Sequence, residues 1–354
     1  MLSWAAQARE KKPRAEKRKE ERTEAILMIS KEMKFAEIEE LPGIKPFKDY
    51  ILRGNSWKGQ VLPMVTPEFF PGKAEDIVFG LNRLQELGEA GIRPCYLYDP
   101  PFEDPRMADV NIIPFPVKGG EEKPYCLVIP GGSWVSTYSL TEGFPIAAKL
   151  NELGYSAFVL SYQVDGVGVL LRTMDDIANA LCYIEGNAEE FHVKAGDYFV
   201  AGFSAGAVID SLWGTKQVGY ASYCLPRPRA LFTIYGPINR RKNPPVKGRT
   251  YEDGNRVCWG ILPDGTVLEG VTREPLYADE LLDGDYPPSF IGGNQDDPLV
   301  NPAHWPCLKE ALDRAGVPAI LEVGEWGGHG YGLGRNTSVK NWLLRALDFM
   351  NSLG

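Results

Sequence analysis

Asp197-Tyr198-Phe199-Val200-Ala201-Gly202-Phe203-Ser204-Ala205-Gly206 is the stretch whose reading decides the fold. An apolar run with strand character ends at Gly202, Gly-x-Ser-x-Gly follows at once, and Ala207-Val208-Ile209 opens a helical stretch. A strand that turns sharply into a helix strains its corner residue and lifts that side chain clear of the sheet. The glycines at 202 and 206 leave room for a crowded turn. The pentapeptide alone is weak, since average Gly and Ser usage produces it by chance in about one chain in ten of this length. Its strand-turn-helix context is what makes it informative.

Outward from this corner the chain keeps an α/β rhythm. Before it, apolar residues at helical spacing (Ile77, Leu81, Leu84, Leu87) predict a helix over 74–90, and strands follow at 95–98, 110–117 and 125–129. Pro130-Gly131-Gly132-Ser133-Trp134 comes next, then a helix over 142–153, a strand over 156–162 and a helix over 174–185. Beyond the corner, strands are expected at 230–235, 290–292 and 319–323, with helices at 302–315 and 339–353. Unbroken apolar strands alternating with helices mean an α/β fold: a mostly parallel sheet covered on both faces. Residues 1–70 read as an N-terminal extension, charged over its first 24 positions and carrying short apolar packing pieces after them. Residues 71–354 read as the main domain, with a lid-like insertion at about 237–288. Within that insertion, 256–262 and 266–271 flank Pro263-Asp264-Gly265, a hairpin signal.

The bulk numbers narrow the class of function. Of 354 residues, 44% are hydrophobic and 24% charged, an ordinary globular balance. A net charge of -9 repels phosphate backbones, so the reading excludes nucleic acid as a partner. No window reaches the roughly 18 unbroken apolar residues of a membrane span, and Leu2 to Ala8 is too short and mixed for a secretory signal. A soluble, cytoplasmic protein is expected, with a homo-oligomer left open. Cys95, Cys126, Cys182, Cys224, Cys258 and Cys307 form no C-x-x-C pair and read as reduced core thiols. Three dispersed histidines make a zinc site hard to assemble, and no phosphate-binding or dinucleotide-binding glycine loop is present. Neither a metal nor a cofactor is expected.

A serine hydroxyl needs a base within hydrogen-bond reach, and the base needs an acid to orient it. His192 precedes the central strand and lies at the wrong edge of the sheet; His304 opens a helix, where packing or capping suffices. His329, in Gly327-Gly328-His329-Gly330, follows the last strand on a loop of glycines and supports no core. Gln295-Asp296-Asp297-Pro298 supplies two acids, of which Asp297 is preferred over Asp296. The chain order Ser204, Asp297, His329 is the one that a G-x-S-x-G elbow leads one to expect. Backbone N–H groups of Gly131, Gly132, Ser133 and Ala205 are candidates to hold an oxyanion. Trp134 and Phe203 are candidates for a substrate pocket.

These motifs resemble α/β-hydrolases of the carboxylesterase and acetylesterase type, similar to bacterial feruloyl- and acetyl-xylan-esterase-like enzymes and more distantly to hormone-sensitive-lipase-like ones. The resemblance runs from about residue 110 to 350. It rests on Pro130 to Trp134 in place of a His/Pro-Gly-Gly-Gly loop, on Gly202 to Gly206, on Asp297-Pro298-Leu299-Val300 and on Gly328-His329-Gly330. It implies the α/β-hydrolase fold, Ser204 as nucleophile, His329 as base, and Asp297, three positions before Val300, as acid. Three departures are Ser133 for a third glycine, Gln163 where relatives often carry Arg, and Asn301 for proline. The expected activity is serine-dependent hydrolysis of a short acyl ester, with esters of acylated carbohydrates among the candidate substrates. The rivals are a small-amide hydrolase of arylformamidase or peptidase type and a hydrolase fold kept only for binding.

Overall fold

The computed structural model describes residues 27–53, 61–117, 119, 123–242, 256–262 and 264–354. The charged stretch expected at 1–24 and the turn residue Pro263 lie outside the described residues.

Eight strands form one sheet in the order β1-β2-β4-β3-β5-β6-β7-β8. They are β1 (Cys95–Tyr96), β2 (Asn111–Phe115), β3 (Tyr125–Ile129), β4 (Ala157–Ser161), β5 (Tyr198–Phe203), β6 (Leu231–Ile234), β7 (Ser289–Asn294) and β8 (Ala319–Gly324). Every pairing from β4 to β8 is parallel, whereas β2 is antiparallel to both of its neighbours. The mostly parallel sheet expected from the sequence is therefore present, with one strand reversed. All residues of β2 through β7 are buried, which is why those strands read as unbroken apolar runs rather than alternating ones.

The longer helices are α1 (Ala74–Glu89), α2 (Phe144–Glu152), α3 (Val169–Gly186), α4 (Ala205–Trp213), α5 (His304–Ala315) and α6 (Trp342–Ser352). They cover both faces, as alternation along the strands requires. On β5, Phe203 stacks edge-on against Trp342 of α6, while one residue earlier a Cβ at Gly202 would meet Asp210 of α4. On β7, Phe290 meets Trp342, and three positions on a Cβ at Gly293 would meet Trp305 of α5. A π-helical turn, Ser139–Gly143, leads into α2, and all five of its residues are buried.

Ahead of α1 the chain is part of the same core. Phe35, Ile38, Ile44, Phe47 and Ile51 have no exposed surface. Arg53 pairs with Thr137 in an isolated antiparallel bridge and donates through Nη1 to the Tyr162 carbonyl at 2.6 Å.

Two expectations are corrected. The hairpin reduces to one bridge, Ile261 opposite Val267. The Gly260 and Ile261 N–H groups both bond back to the Arg256 carbonyl, so 256–259 winds into a helical turn instead of a strand. The cysteines are all free, but only Cys126 is buried; Cys182 and Cys224 are exposed. Cys182 lies on the outer side of amphipathic α3, where its apolar neighbours in sequence are not its neighbours in space. No helix among the described residues is long and apolar enough to cross a membrane.

Candidate active site

Ser204 sits at the corner between β5 and α4 with φ 53° and ψ -113°, a strained conformation for a residue with a side chain. The surroundings over-determine it. The Ser204 N–H donates to the Ile234 carbonyl at 2.9 Å, and a Cβ added at Gly206 would come within 2.1 Å of the Ile129 carbonyl oxygen. Only glycine lets α4 start this close to β3.

His329 and Asp297 arrive at the same edge from the loops after β8 and β7. His329 Nε2 lies 2.9 Å from Ser204 Oγ, and His329 Nδ1 lies 2.7 Å from Asp297 Oδ2. A carboxylate only accepts, so the proton belongs on Nδ1, leaving Nε2 to accept the serine hydroxyl. The Asp297 side chain is buried, and its Oδ1 accepts the Leu299 and Val300 N–H groups at 2.8 Å each. Asp296 does something different: its two oxygens accept the N–H groups of Gly327 and Gly328, at 3.2 and 2.8 Å. One acid faces the imidazole and the other ties down the loop that carries it.

The other histidines lie elsewhere. His192 is exposed. His304 is buried at the start of α5, where Nδ1 accepts the Asn239 N–H at 3.1 Å. Burial, reinforced by the Arg240 charge, brings its pKa down to about 3.

The loop after β3 runs through left-handed backbone: Gly132 at φ 139°, Ser133 at 57° and Trp134 at 59°. Among the described residues, no backbone hydrogen bond takes the N–H groups of Gly132, Ser133 or Ala205. Gly131 is a correction. Its N–H, expected to face an oxyanion, is taken by Glu142 Oε2 at 2.8 Å. Phe203 is a second correction. As an odd-numbered residue of β5 it points into the α6 layer, fully buried between Tyr235 and Trp342, and is not among the residues that wall the cavity at Ser204. Trp134 is one of them. A cavity of about 70 Å³ opens at Ser204 and His329, walled by Ser133, Trp134, Ala205, Pro237, Leu299 and Val300, with Arg240 at its side. The Arg240 guanidinium lies 4.7 Å from the centre of the Trp134 ring.

Glu142 and Tyr235 are the contacts that sequence reasoning missed. The only signal is one acid inside the otherwise apolar and hydroxylic run Ser139 to Ile146. Among the described residues no cluster of His, Cys, Asp and Glu fit for a metal ion is present.

Residues 113–224 match the sequence profile of the family described as BD-FAE. The chain is 27% identical over 222 residues to endo-1,4-beta-xylanase B of Butyrivibrio fibrisolvens, a match covering 61% of this chain and 34% of that protein. It thus spans about a third of the length of that curated relative. An acetyl ester-xyloside bifunctional hydrolase from Caldicellulosiruptor lactoaceticus superposes with a TM-score of 0.59 at 23% identity, covering 74% of this chain and 96% of that one. A thermophilic esterase from Thermogutta terrifontis gives 0.57 at 17% identity, over 75% and 95%. A carboxylesterase from Lactobacillus plantarum gives 0.56 at 19% identity, over 69% and 92%. The chain has the α/β-hydrolase fold and resembles carboxylesterases and acetyl-ester hydrolases built on it.

Proposed function

We propose that this chain is a serine hydrolase of short-chain acyl esters. The observation that carries the reading is the unbroken relay from Ser204 Oγ through the imidazole of His329 to the buried carboxylate of Asp297. In the proposed cycle Ser204 Oγ attacks the ester carbonyl carbon while its proton passes to His329 Nε2. The resulting oxyanion rests on N–H groups of the Gly132-Ser133 turn and of Ala205. Collapse breaks the bond to the alkoxide, which leaves with the proton from His329, and an acyl group remains on Ser204. Water then attacks that acyl carbon, giving its proton to the same nitrogen; collapse breaks the bond to Ser204 Oγ, which takes the proton back from His329, and the acid is released. Asp297 keeps the imidazole in the required tautomer and steadies its positive charge.

The size of the cavity supports a small acyl group. The cavity at Ser204 and His329, about 70 Å³, accords with a short acyl group such as acetyl or propionyl. Apolar walls from Pro237, Leu299 and Val300 fit an alkyl end. An acylated carbohydrate as the natural ester accords with the names of the matched xylanase and acetyl ester-xyloside hydrolase.

The test is steady-state hydrolysis of p-nitrophenyl esters of increasing acyl length. The reading expects kcat/KM to be highest at two or three carbons and to fall by at least tenfold by eight. Ser204→Ala should lower kcat by about 1,000-fold or more. Undiminished turnover in that variant would refute it.

A further inference from the structure

The acid in the buried π-helical turn, Glu142, has no part in the relay just described, yet it bonds to the segments that follow β3 and β6, the two strands beside β5. Its carboxylate is buried, 5% exposed for the residue as a whole. Oε2 accepts the Gly131 N–H at 2.8 Å, which fixes the peptide immediately before the Gly132-Ser133 turn. Oε1 accepts the Tyr235 hydroxyl at 3.1 Å. That hydroxyl in turn accepts the Gly332 N–H at 3.4 Å, three residues beyond His329. The Tyr235 ring lies against the His329 imidazole, with centroids 5.0 Å apart, and against Tyr331 at 4.6 Å. Burial first, and the Glu142 charge next, hold the Tyr235 hydroxyl well above its ordinary pKa, so it stays a donor.

Resting on the esterase reading above, we infer that Glu142 is a positioning residue: one buried carboxylate clamps the oxyanion loop to the histidine loop, so that the donors and the base keep one geometry. Three considerations support it. The Gly132-Ser133-Trp134 backbone is left-handed throughout, a conformation that persists only where the surroundings impose it. A buried carboxylate is costly unless its oxygens are satisfied, and here Oε2 takes the Gly131 N–H of the oxyanion loop while Oε1 takes the Tyr235 hydroxyl, which itself holds Gly332 of the histidine loop. The charge facing it is Lys73, just ahead of α1. Its ammonium is held below its usual pKa by burial and pushed back up by Glu142. A Cβ built at Gly330 would lie 3.2 Å from Lys73 Nζ and 3.4 Å from Glu142 Oε1, so the pair brackets the residue after the imidazole.

Preorganised donors act on the transition state and not on the bound ester, so the test separates the two. KM for p-nitrophenyl acetate reports the ester; inhibition by a small alkylboronic acid, which adds Ser204 Oγ to boron and places an oxygen among the same donors, reports the tetrahedral state. Glu142→Ala should lower kcat per titrated active site by 10- to 100-fold and raise the boronate Ki by a similar factor, with KM within threefold. Glu142→Gln, whose carbonyl still accepts the Gly131 N–H, should return to within about threefold of the native values. Tyr235→Phe, which keeps the ring on His329 and removes the hydroxyl, should lose three- to tenfold in kcat and serves if Glu142→Ala does not fold. A Glu142→Ala enzyme with native kcat and Ki, or with lowered kcat and an unmoved Ki, would overturn the clamp. With Glu142→Ala unfolded, Tyr235→Phe at native kcat would overturn it too. A native protein that neither hydrolyses the acetate nor binds the boronate would overturn the esterase reading itself, and the clamp with it.

Discussion

Asp296 and Asp297 are neighbours in sequence and the same residue type, and their surroundings separate them completely. Asp297 meets the imidazole and two N–H groups of its own turn, whereas Asp296 meets two N–H groups of the Gly327-Gly328 loop. Replacing each by Asn therefore has different consequences. Asp297→Asn offers an amide where a pure acceptor is needed and favours the wrong tautomer. It should cut kcat by about 1,000- to 10,000-fold. Asp296→Asn keeps one acceptor for the loop and should cost threefold to tenfold. Ester turnover of the two purified variants, measured side by side, checks the assignment; equal losses would contradict it.

At the scale of elements, the corner between β5 and α4 depends on how near the helix comes to β3. A methyl group at position 206 would fall 2.1 Å from the Ile129 carbonyl oxygen and 2.9 Å from that of Pro130, both backbone atoms that cannot swing away. Gly206→Ala should therefore destabilise the fold by about 1–3 kcal/mol, as overpacking does, and shift Ser204 away from His329. A lower urea midpoint together with lost esterase activity is the expected outcome, and a native midpoint would contradict it. This corner was legible in the sequence because strand, turn and helix follow one another without a gap. The reversal of β2 was not. Its five buried residues read like those of a parallel strand, and direction is set by how the flanking loops run. The helix α3 begins five residues before its expected start, since Gly168 at φ 73° caps it in a conformation that apolar periodicity does not report. Glu142 stayed hidden for a different reason: its partners lie 11 and 93 positions away, and only the folded sheet brings them together.

For the whole molecule, another buried acid, Asp176, links folding to pH. Asp176 has no exposed surface and accepts from the Gln163 N–H at 2.7 Å, from Gln163 Nε2 at 2.9 Å and from the Tyr98 hydroxyl at 2.7 Å. Burial outweighs these bonds and raises its pKa to about 6. Gln163 supplies hydrogen bonds there but no charge. The folded state holds the Asp176 proton up to about pH 6, whereas an unfolded chain releases it near 3.9. Between those limits the folded state binds more protons, so this group's contribution to stability falls as pH rises and is flat above. His304 acts with the opposite sign: depressed to about 3, it stays neutral in the fold and adds stability as pH rises toward its unfolded value of about 6.5. Only a difference curve isolates one from the other. Stability of Asp176→Asn minus that of the native protein, from urea unfolding at pH 4 to 7, should increase by on the order of 2–3 kcal/mol across the window. A flat difference would contradict it.

The central claim is that Ser204 becomes covalently acylated during ester hydrolysis, and it is tested most directly by trapping. Protein incubated with a fluorophosphonate and digested for mass spectrometry should carry one adduct, on the peptide containing Ser204, with labelling lost in His329→Ala and in Ser204→Ala. An unlabelled Ser204 in native protein that still hydrolyses p-nitrophenyl acetate would contradict the account.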